Sequence, residues 1–182
     1  MALTRLGTNA ITSVPSSAIT ALPAGVGGKV LQVVHGANDY NVSYNSTSAT
    51  NMLVGVGTAW EVSITPTSAS SKILTIETLF LNNIDEGTSS QEKRFFIHLY
   101  RKIGAGAYSA IRSANWYGHY YYSGARNADL HSFSHSESKY DEPNTTEQVT
   151  YKIMLGCHGS GRMIYQNGDS KQSVINLLEI AG

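Results

Sequence analysis

Lys72-Ile73-Leu74-Thr75-Ile76-Glu77-Thr78-Leu79-Phe80-Leu81 is the stretch on which the fold turns. In an extended strand, successive side chains point to opposite faces. Ile73, Thr75, Glu77 and Leu79 therefore oppose Leu74, Ile76, Thr78 and Phe80, and both rows are largely apolar. The pattern predicts a central strand covered on both faces. Trp60-Glu61-Val62-Ser63-Ile64 alternates more strictly, with Trp60, Val62 and Ile64 on one side and Glu61 and Ser63 on the other. Around these two runs lie Lys29–His35, Arg94–Arg101, Trp116–Tyr122, Asp129–His135, Val149–Cys157, Arg162–Tyr165 and Val174–Ile180, all rich in β-branched or aromatic residues. Turn-forming clusters separate them: Pro66–Ser71, Asn82–Ser90, Gly104-Ala105-Gly106, Gly159-Ser160-Gly161 and Asn167-Gly168. No window carries an i, i+3, i+4, i+7 apolar stripe over three turns. Eight or more short strands punctuated in this way predict an all-β fold, an antiparallel jelly-roll-like β-sandwich. The last run ends just before the C-terminus, so it is expected to be tied into a sheet rather than trail as a tail.

Composition narrows the function. The chain has 182 residues, and an expected body at residues 29–182 leaves an arm and glycine hinge at 1–28. A body of about 150 residues buries about 68–70% of its unfolded surface, enough for one core. Charged residues make up 14%, against a usual ~25%. The 13 Lys and Arg balance the 13 Asp and Glu, so no bulk field recruits nucleic acid or an anionic membrane. A neutral surface rich in Ser, Thr, Asn, Gly and Tyr suits packing against copies of itself better than life as a free enzyme. Cys157 is the single cysteine, which excludes an intrachain disulfide. Neither a secretory leader in residues 1–25 nor an apolar run long enough for a membrane helix is visible, so assembly in a cytoplasm is expected. The three Asn-x-Ser/Thr sequons at Asn41, Asn45 and Asn144 then carry no glycosylation meaning.

The arm has its own signature. Ala10-Ile11-Thr12-Ser13-Val14-Pro15 returns as Ala18-Ile19-Thr20-Ala21-Leu22-Pro23. Each copy sets two aliphatic side chains three residues apart and closes on proline, which disfavours helix at and before itself. Such an extended segment cannot bury Ile11, Val14, Ile19 and Leu22 against itself and needs a surface to lie on. Pro15 and Pro23 hold it extended, and Ala24-Gly25-Val26-Gly27-Gly28 makes the hinge to the body.

Catalytic and metal motifs are weak. His131 and His135 share a strand face with Asp129, but four strand residues span about 13 Å, too far for two imidazoles on one ion. The expectation is an exposed, Ser-rich polar strand. Cys157 and His158 would diverge on opposite faces. Gly159-Ser160-Gly161 lacks the nucleophile-elbow pattern, and the glycines at 25–28 lack the Lys-Ser/Thr of a phosphate loop. Asp85-Glu86 and Asp141-Glu142 are expected in solvated turns. No catalytic residue, cofactor or metal follows, and the chain is expected to be no enzyme. The segment with binding character is Trp116-Tyr117-Gly118-His119-Tyr120-Tyr121-Tyr122. Tyr and Trp combine a stacking ring with a polar tip, which suits a subunit interface or a sugar. Few cations lie nearby, which argues against nucleic acid.

Leu3-Thr4-Arg5-Leu6-Gly7-Thr8-Asn9-Ala10-Ile11-Thr12, Leu22-Pro23-Ala24-Gly25 and Gly28-Lys29-Val30-Leu31-Gln32-Val33-Val34 resemble the openings of cyanophage and marine-phage virion proteins. Ser63–Leu74, Val149-Thr150-Tyr151-Lys152 and Leu178-Glu179-Ile180-Ala181 extend the resemblance. It implies a bacteriophage virion β-sandwich, commonly trimeric, that decorates a capsid or forms a fibre tip. A capsid cement or decoration role makes the arm a strap onto the major capsid protein, another virion protein or a neighbouring subunit of a homotrimer. A tail-fibre or receptor-binding module would instead meet host glycan through its aromatic loops. About 25 extended residues reach at most roughly 80 Å, enough for a strap and short for a fibre shaft. The expected location is the virion, at the capsid surface rather than the tail.

Overall fold

The computed structural model describes residues 29–44, 48–85, 93–113, 117–120, 130–157, 162–166 and 171–182. Among these residues there are strands and no helix. In chain order they are β1 (Val30–Asn38), β2 (Val42–Tyr44), β3 (Thr50–Asn51), β4 (Leu53–Gly55), β5 (Thr58–Ala59), β6 (Glu61–Ile64) and β7 (Lys72–Asp85). There follow β8 (Lys93–Ile103), β9 (Ser109–Ser113), β10 (Tyr117–Tyr120), β11 (Leu130–Asp141), β12 (Val149–Cys157), β13 (Arg162–Gln166) and β14 (Ser173–Ile180).

Two antiparallel sheets result. One runs β1-β14-β7-β11, with β13 and β2 continuing beside the far half of β7. The other runs β6-β12-β8-β9, with β3 beside the far end of β12 and β10 beside the far end of β8. Taking β1, β6, β7, β8, β9, β11, β12 and β14 as first to eighth, the sheets read first-eighth-third-sixth and second-seventh-fourth-fifth. That interleaving is the double Greek key of a jelly roll. Along these eight strands the chain crosses between the sheets at every step except from β8 to β9, which are neighbours in one sheet, and β14 closes beside β1.

The core lies between the sheets and is built from alternate residues, as period-2 patterning demands. β12 supplies Val149, Tyr151, Ile153 and Leu155; β8 supplies Phe95, Ile97 and Leu99; β6 supplies Val62 and Ile64. From the facing sheet come Ile73, Leu79 and Leu81 of β7 and Ile175 and Leu177 of β14. Trp60, expected on this face, is buried with them. Gly36 lets β1 close on β6, because a Cβ there would run into the Val62 side chain. Gly104, at φ 51°, turns the chain out of β8 in a conformation that L side chains rarely adopt.

Three expectations need correction. Asn82–Ser90 is not all turn, since β7 runs on to Asp85, whose pairing with Arg162 extends the sheet. β11 continues past His135 to Asp141, paired with β7 along its whole length, because its polar residues still alternate in register with that strand. β7 is central as expected, but its outward row is not fully covered: Ile76 is 37% exposed.

Candidate interaction surface

The outward face of the β1-β14-β7-β11 sheet can be read row by row from the register. Val33, Leu178, Leu74 and Tyr140 stand side by side across all four strands. Val30, Ile180 and Lys72 form the row beyond, with Leu31 in the bulge of β1 beside them. On the other side come His35, Asn176, Ile76 and Ser138, and then Ala37, Val174, Thr78 and Ser136. Val33 is 59% exposed and Tyr140 52%; Val30, Leu31 and Ile76 are also exposed. The result is an apolar stripe lying across the strands. Polar pairs border it: His35 Nδ1 lies 2.7 Å from Asn176 Oδ1, Thr78 Oγ1 lies 3.1 Å from Ser136 Oγ, and Lys72 Nζ lies 3.1 Å from Glu142 Oε1. Scattered exposed apolar residues are ordinary on any protein, whereas a contiguous patch marks a place where something binds.

The outward face of the other sheet is made differently. Ser63 Oγ and Thr150 Oγ1 share a hydrogen bond of 2.8 Å. Lys102 Nζ donates to Glu61 Oε2 at 3.3 Å, and the Tyr108 ring takes Lys152 Nζ at 3.8 Å and Lys102 Nζ at 4.8 Å from its centre. Burial pushes the Tyr108 phenol above its ordinary range, and the neighbouring Glu61 carboxylate adds to that rise.

Between the sheets, along the edge where β11 meets β9, the interior turns charged. Glu77 is fully buried and pairs with Arg112 Nη1. Arg112 Nε lies 3.3 Å from Glu137 Oε2, and His135 Nε2 lies 3.1 Å from the same oxygen. Burial raises the Glu77 carboxyl above its ordinary value against the pull of Arg112, and Glu137 adds to the rise. Nearer the end of β11, Asp141 takes the Tyr151 hydroxyl and Arg101 Nη1, each at 2.7 Å. At the opposite edge Glu179 is also buried, but Gln32 Nε2 and the Thr67 amide and hydroxyl all donate to it at 2.7 Å. Burial would raise this carboxyl, yet the donors around it outweigh burial and hold it below its ordinary value. Donors inside the fold hold Asp141 and Glu179, whereas Glu77 Oε2 and Arg112 Nε and Nη2 are buried without a hydrogen-bond partner. Among the described residues, no three His, Cys, Asp or Glu side chains gather as a metal would require.

The residues singled out by sequence fall unevenly on this framework. Ile11, Val14, Pro15, Ile19, Leu22 and Pro23 lie outside the described residues, as do Trp116, Tyr121, Tyr122, His158 and Gly159-Ser160-Gly161. Tyr117 and Tyr120 are placed by backbone alone, paired with Phe95 and Lys93, with His119 in the same short strand. His131 pairs with Asn83 and His135 with Leu79, so the two do share a face of β11. That face is not the expected solvated one: His135 is largely buried against Glu137, and the exposed residues of the strand, Ser134, Ser136, Ser138 and Tyr140, lie on the opposite face. Asp141 is likewise no solvated turn residue but the buried partner of Arg101 and Tyr151. The apolar stripe was missed because only the register assembles its members, which are spread over four distant strands. Its one visible sign was the second apolar row of Lys72–Leu81.

The fold therefore defines the chain as an all-β jelly-roll sandwich with one apolar outer face. No protein-family model matches it, and no curated protein sequence matches it. Among solved structures it is similar to the infectious bursal disease virus Gx strain structure, at 16% identity and a TM-score of 0.40, over 86% of this chain and 33% of that one. The infectious bursal disease virus VP2 subviral particle gives 16% identity and a TM-score of 0.40, over 85% and 33%. The chain spans about a third of the length of these proteins. A likeness this distant assigns neither family nor function.

Proposed function

We propose that this chain is a non-enzymatic virion structural protein, a capsid cement or decoration protein that trimerises on a phage head and attaches through residues 1–28. The observation that carries the reading is the apolar stripe on one outer face of a charge-poor jelly roll, joined to an arm with four aliphatic side chains in need of a surface. The partners are other copies of the chain and the major capsid protein or another virion protein. Each fully buried aliphatic contributes about 1.5–3 kcal/mol, reduced by the ordering of the arm. Three arms on one trimer reinforce each other by effective concentration. Gold-labelled antibody against the protein, imaged on intact virions of the source phage, tests this. Regular label over the head supports the proposal, and particles without label overturn it.

A second reading keeps the virion and moves the protein to the tail as a fibre or receptor-binding module recognising host glycan. The observation favouring it is the aromatic run Trp116–Tyr122 in the sequence, which includes strand β10 at the edge of its sheet. Label confined to the tail would select this reading.

A further inference from the structure

We propose that the apolar stripe on the outer face of the β1-β14-β7-β11 sheet is the docking surface for the chain's own N-terminal segment, residues 1–28. The inference stands apart from the virion reading, because it concerns the free chain. Its first support is position. The segment leaves the fold at Lys29, whose carbonyl accepts a hydrogen bond of 2.9 Å from the Ala181 amide, directly beside the Val30–Ile180 row that begins the stripe. Its second support is chemistry. The stripe offers Val30, Leu31, Val33, Leu74, Ile76, Tyr140, Leu178 and Ile180, with the charge of Lys72 at the end of the Val30–Ile180 row paired to Glu142, and residues 1–28 carry one charged side chain, Arg5.

Spacing is the third support. In the polyproline II geometry that Pro15 and Pro23 favour, residues three apart lie on one side about 9.3 Å from each other. Two strand spacings in a sheet are about 9.6 Å. Ile11 and Val14, or Ile19 and Leu22, laid across the strands would thus drop into successive depressions of the stripe. Leu22 lies seven residues before Lys29, within about 25 Å of it when extended. The stripe's four strands span about 14 Å from first to last. The glycines at 25, 27 and 28 permit the reversal this path requires.

The tether decides between occupants. A segment joined to the edge of its own docking face meets that face at an effective concentration in the millimolar range, above what a free second copy reaches in dilute solution. Among the described residues of the other outer face, Lys102, Lys152, Glu61 and Tyr108 engage one another, and the rings of Phe96, His98 and Tyr100 contact one another along β8.

Paramagnetic relaxation on the full-length chain tests the proposal. Cys157 is replaced by Ser, Ala24 by Cys, and a nitroxide is attached there. Amide signals of Val33, Ile76 and Leu178 should broaden at least twofold more than those of Lys102 and Lys152. Isotope-labelled chains without a nitroxide, mixed with spin-bearing chains of natural isotope abundance, should show no broadening, and adding Val33→Asp to the doubly labelled chain should release it. Broadening seen only between different chains overturns the proposal in favour of a second copy's arm. No selective broadening overturns it in favour of a foreign partner.

Discussion

The two outer faces of this sandwich share a strand architecture and differ in what they leave undone. On the β6-β12-β8-β9 sheet, Ser63 meets Thr150, and Lys102, Lys152 and Glu61 gather around Tyr108. On the β1-β14-β7-β11 sheet, an uninterrupted row of Val33, Leu178, Leu74 and Tyr140 faces outward. The interior shows the complement. β7, with Leu74 and Ile76 outside, turns Glu77 inside, and β11, with Ser134, Ser136, Ser138 and Tyr140 outside, turns His135, Glu137 and Asp141 inside. A strand that spends its inward row on charged groups must match them across the core. One that exposes its outward apolar row has a surface whose partner lies beyond the folded sheets. The first is a stability requirement and the second an interaction capacity, and substitutions separate them.

The largest effect belongs inside. Arg112→Leu removes the cation that faces both Glu77 and Glu137 while leaving two carboxylates in place. Breaking a buried pair from one side costs about 3–5 kcal/mol, to be read by urea unfolding at neutral pH. A loss below about 1 kcal/mol would mean that solvent reaches the cluster and that the inside–outside contrast is wrong.

A pH series from 3 to 8 sharpens the same contrast, because the two buried glutamates carry opposite signs. Glu77 has its carboxyl raised, so the folded state holds more protons than the unfolded one above the ordinary value of 4.5, and stability falls as pH rises through that window. Arg112, Glu137 and His135 are the charged and titratable groups that face it. Glu179 has its carboxyl lowered, so its contribution is complete above 4.5 and is lost as pH falls below. Glu77→Gln should flatten the decline on the high side, and Glu179→Gln should flatten the rise on the low side. Identical profiles for the two variants would show that the edges do not differ electrostatically.

How much of this was legible in the sequence depends on the range of the signal. Val149–Cys157 and the Trp60–Ile64 alternation were readable because local pairing and burial agree with a period of two. Ser109–Ser113 and Val42–Tyr44 were not read as strands, since they are short and carry little apolar signal, and β9 is held at the sheet edge by β8. Asp141 looked like a turn residue beside Glu142 and Pro143 because its partners, Arg101 and Tyr151, come from two other strands. The stripe shares that cause: Val33 and Tyr140 become members of one row only through the pairing of four strands. The arm's repeat was plain in the sequence, whereas the surface it is proposed to meet was not.

On the polar outer face, Lys102→Met removes the Glu61 pair and one cation above Tyr108. Exposed pairs contribute about 0–1 kcal/mol and weaken with salt. The loss should stay under about 1 kcal/mol and shrink between 0.05 and 0.5 M NaCl, as about a threefold shorter screening length dictates. A larger, salt-independent loss would make this face a packed surface rather than a solvated one.

The smallest expected effect is the most discriminating for the apolar face. Ile76→Ala truncates an outward side chain on a row where the fold itself supplies little cover, whereas Ile175, fully buried on the neighbouring strand, faces the core. Ile175→Ala should cost about 2–5 kcal/mol, and Ile76→Ala about 0.5 kcal/mol, near the surface range. Half a kilocalorie has meaning when it is coupled to something. If residues 1–28 lie on the stripe, combining Ile76→Ala with Leu22→Asp should cost less than the sum of the two, with a coupling of about 0.5 kcal/mol. The polar face provides the control, because Lys102→Met with Leu22→Asp should be additive. Additivity on both faces would remove the arm from the stripe and return that row to an external partner. Coupling on the stripe alone would make the arm the group that completes the second apolar row of Lys72–Leu81.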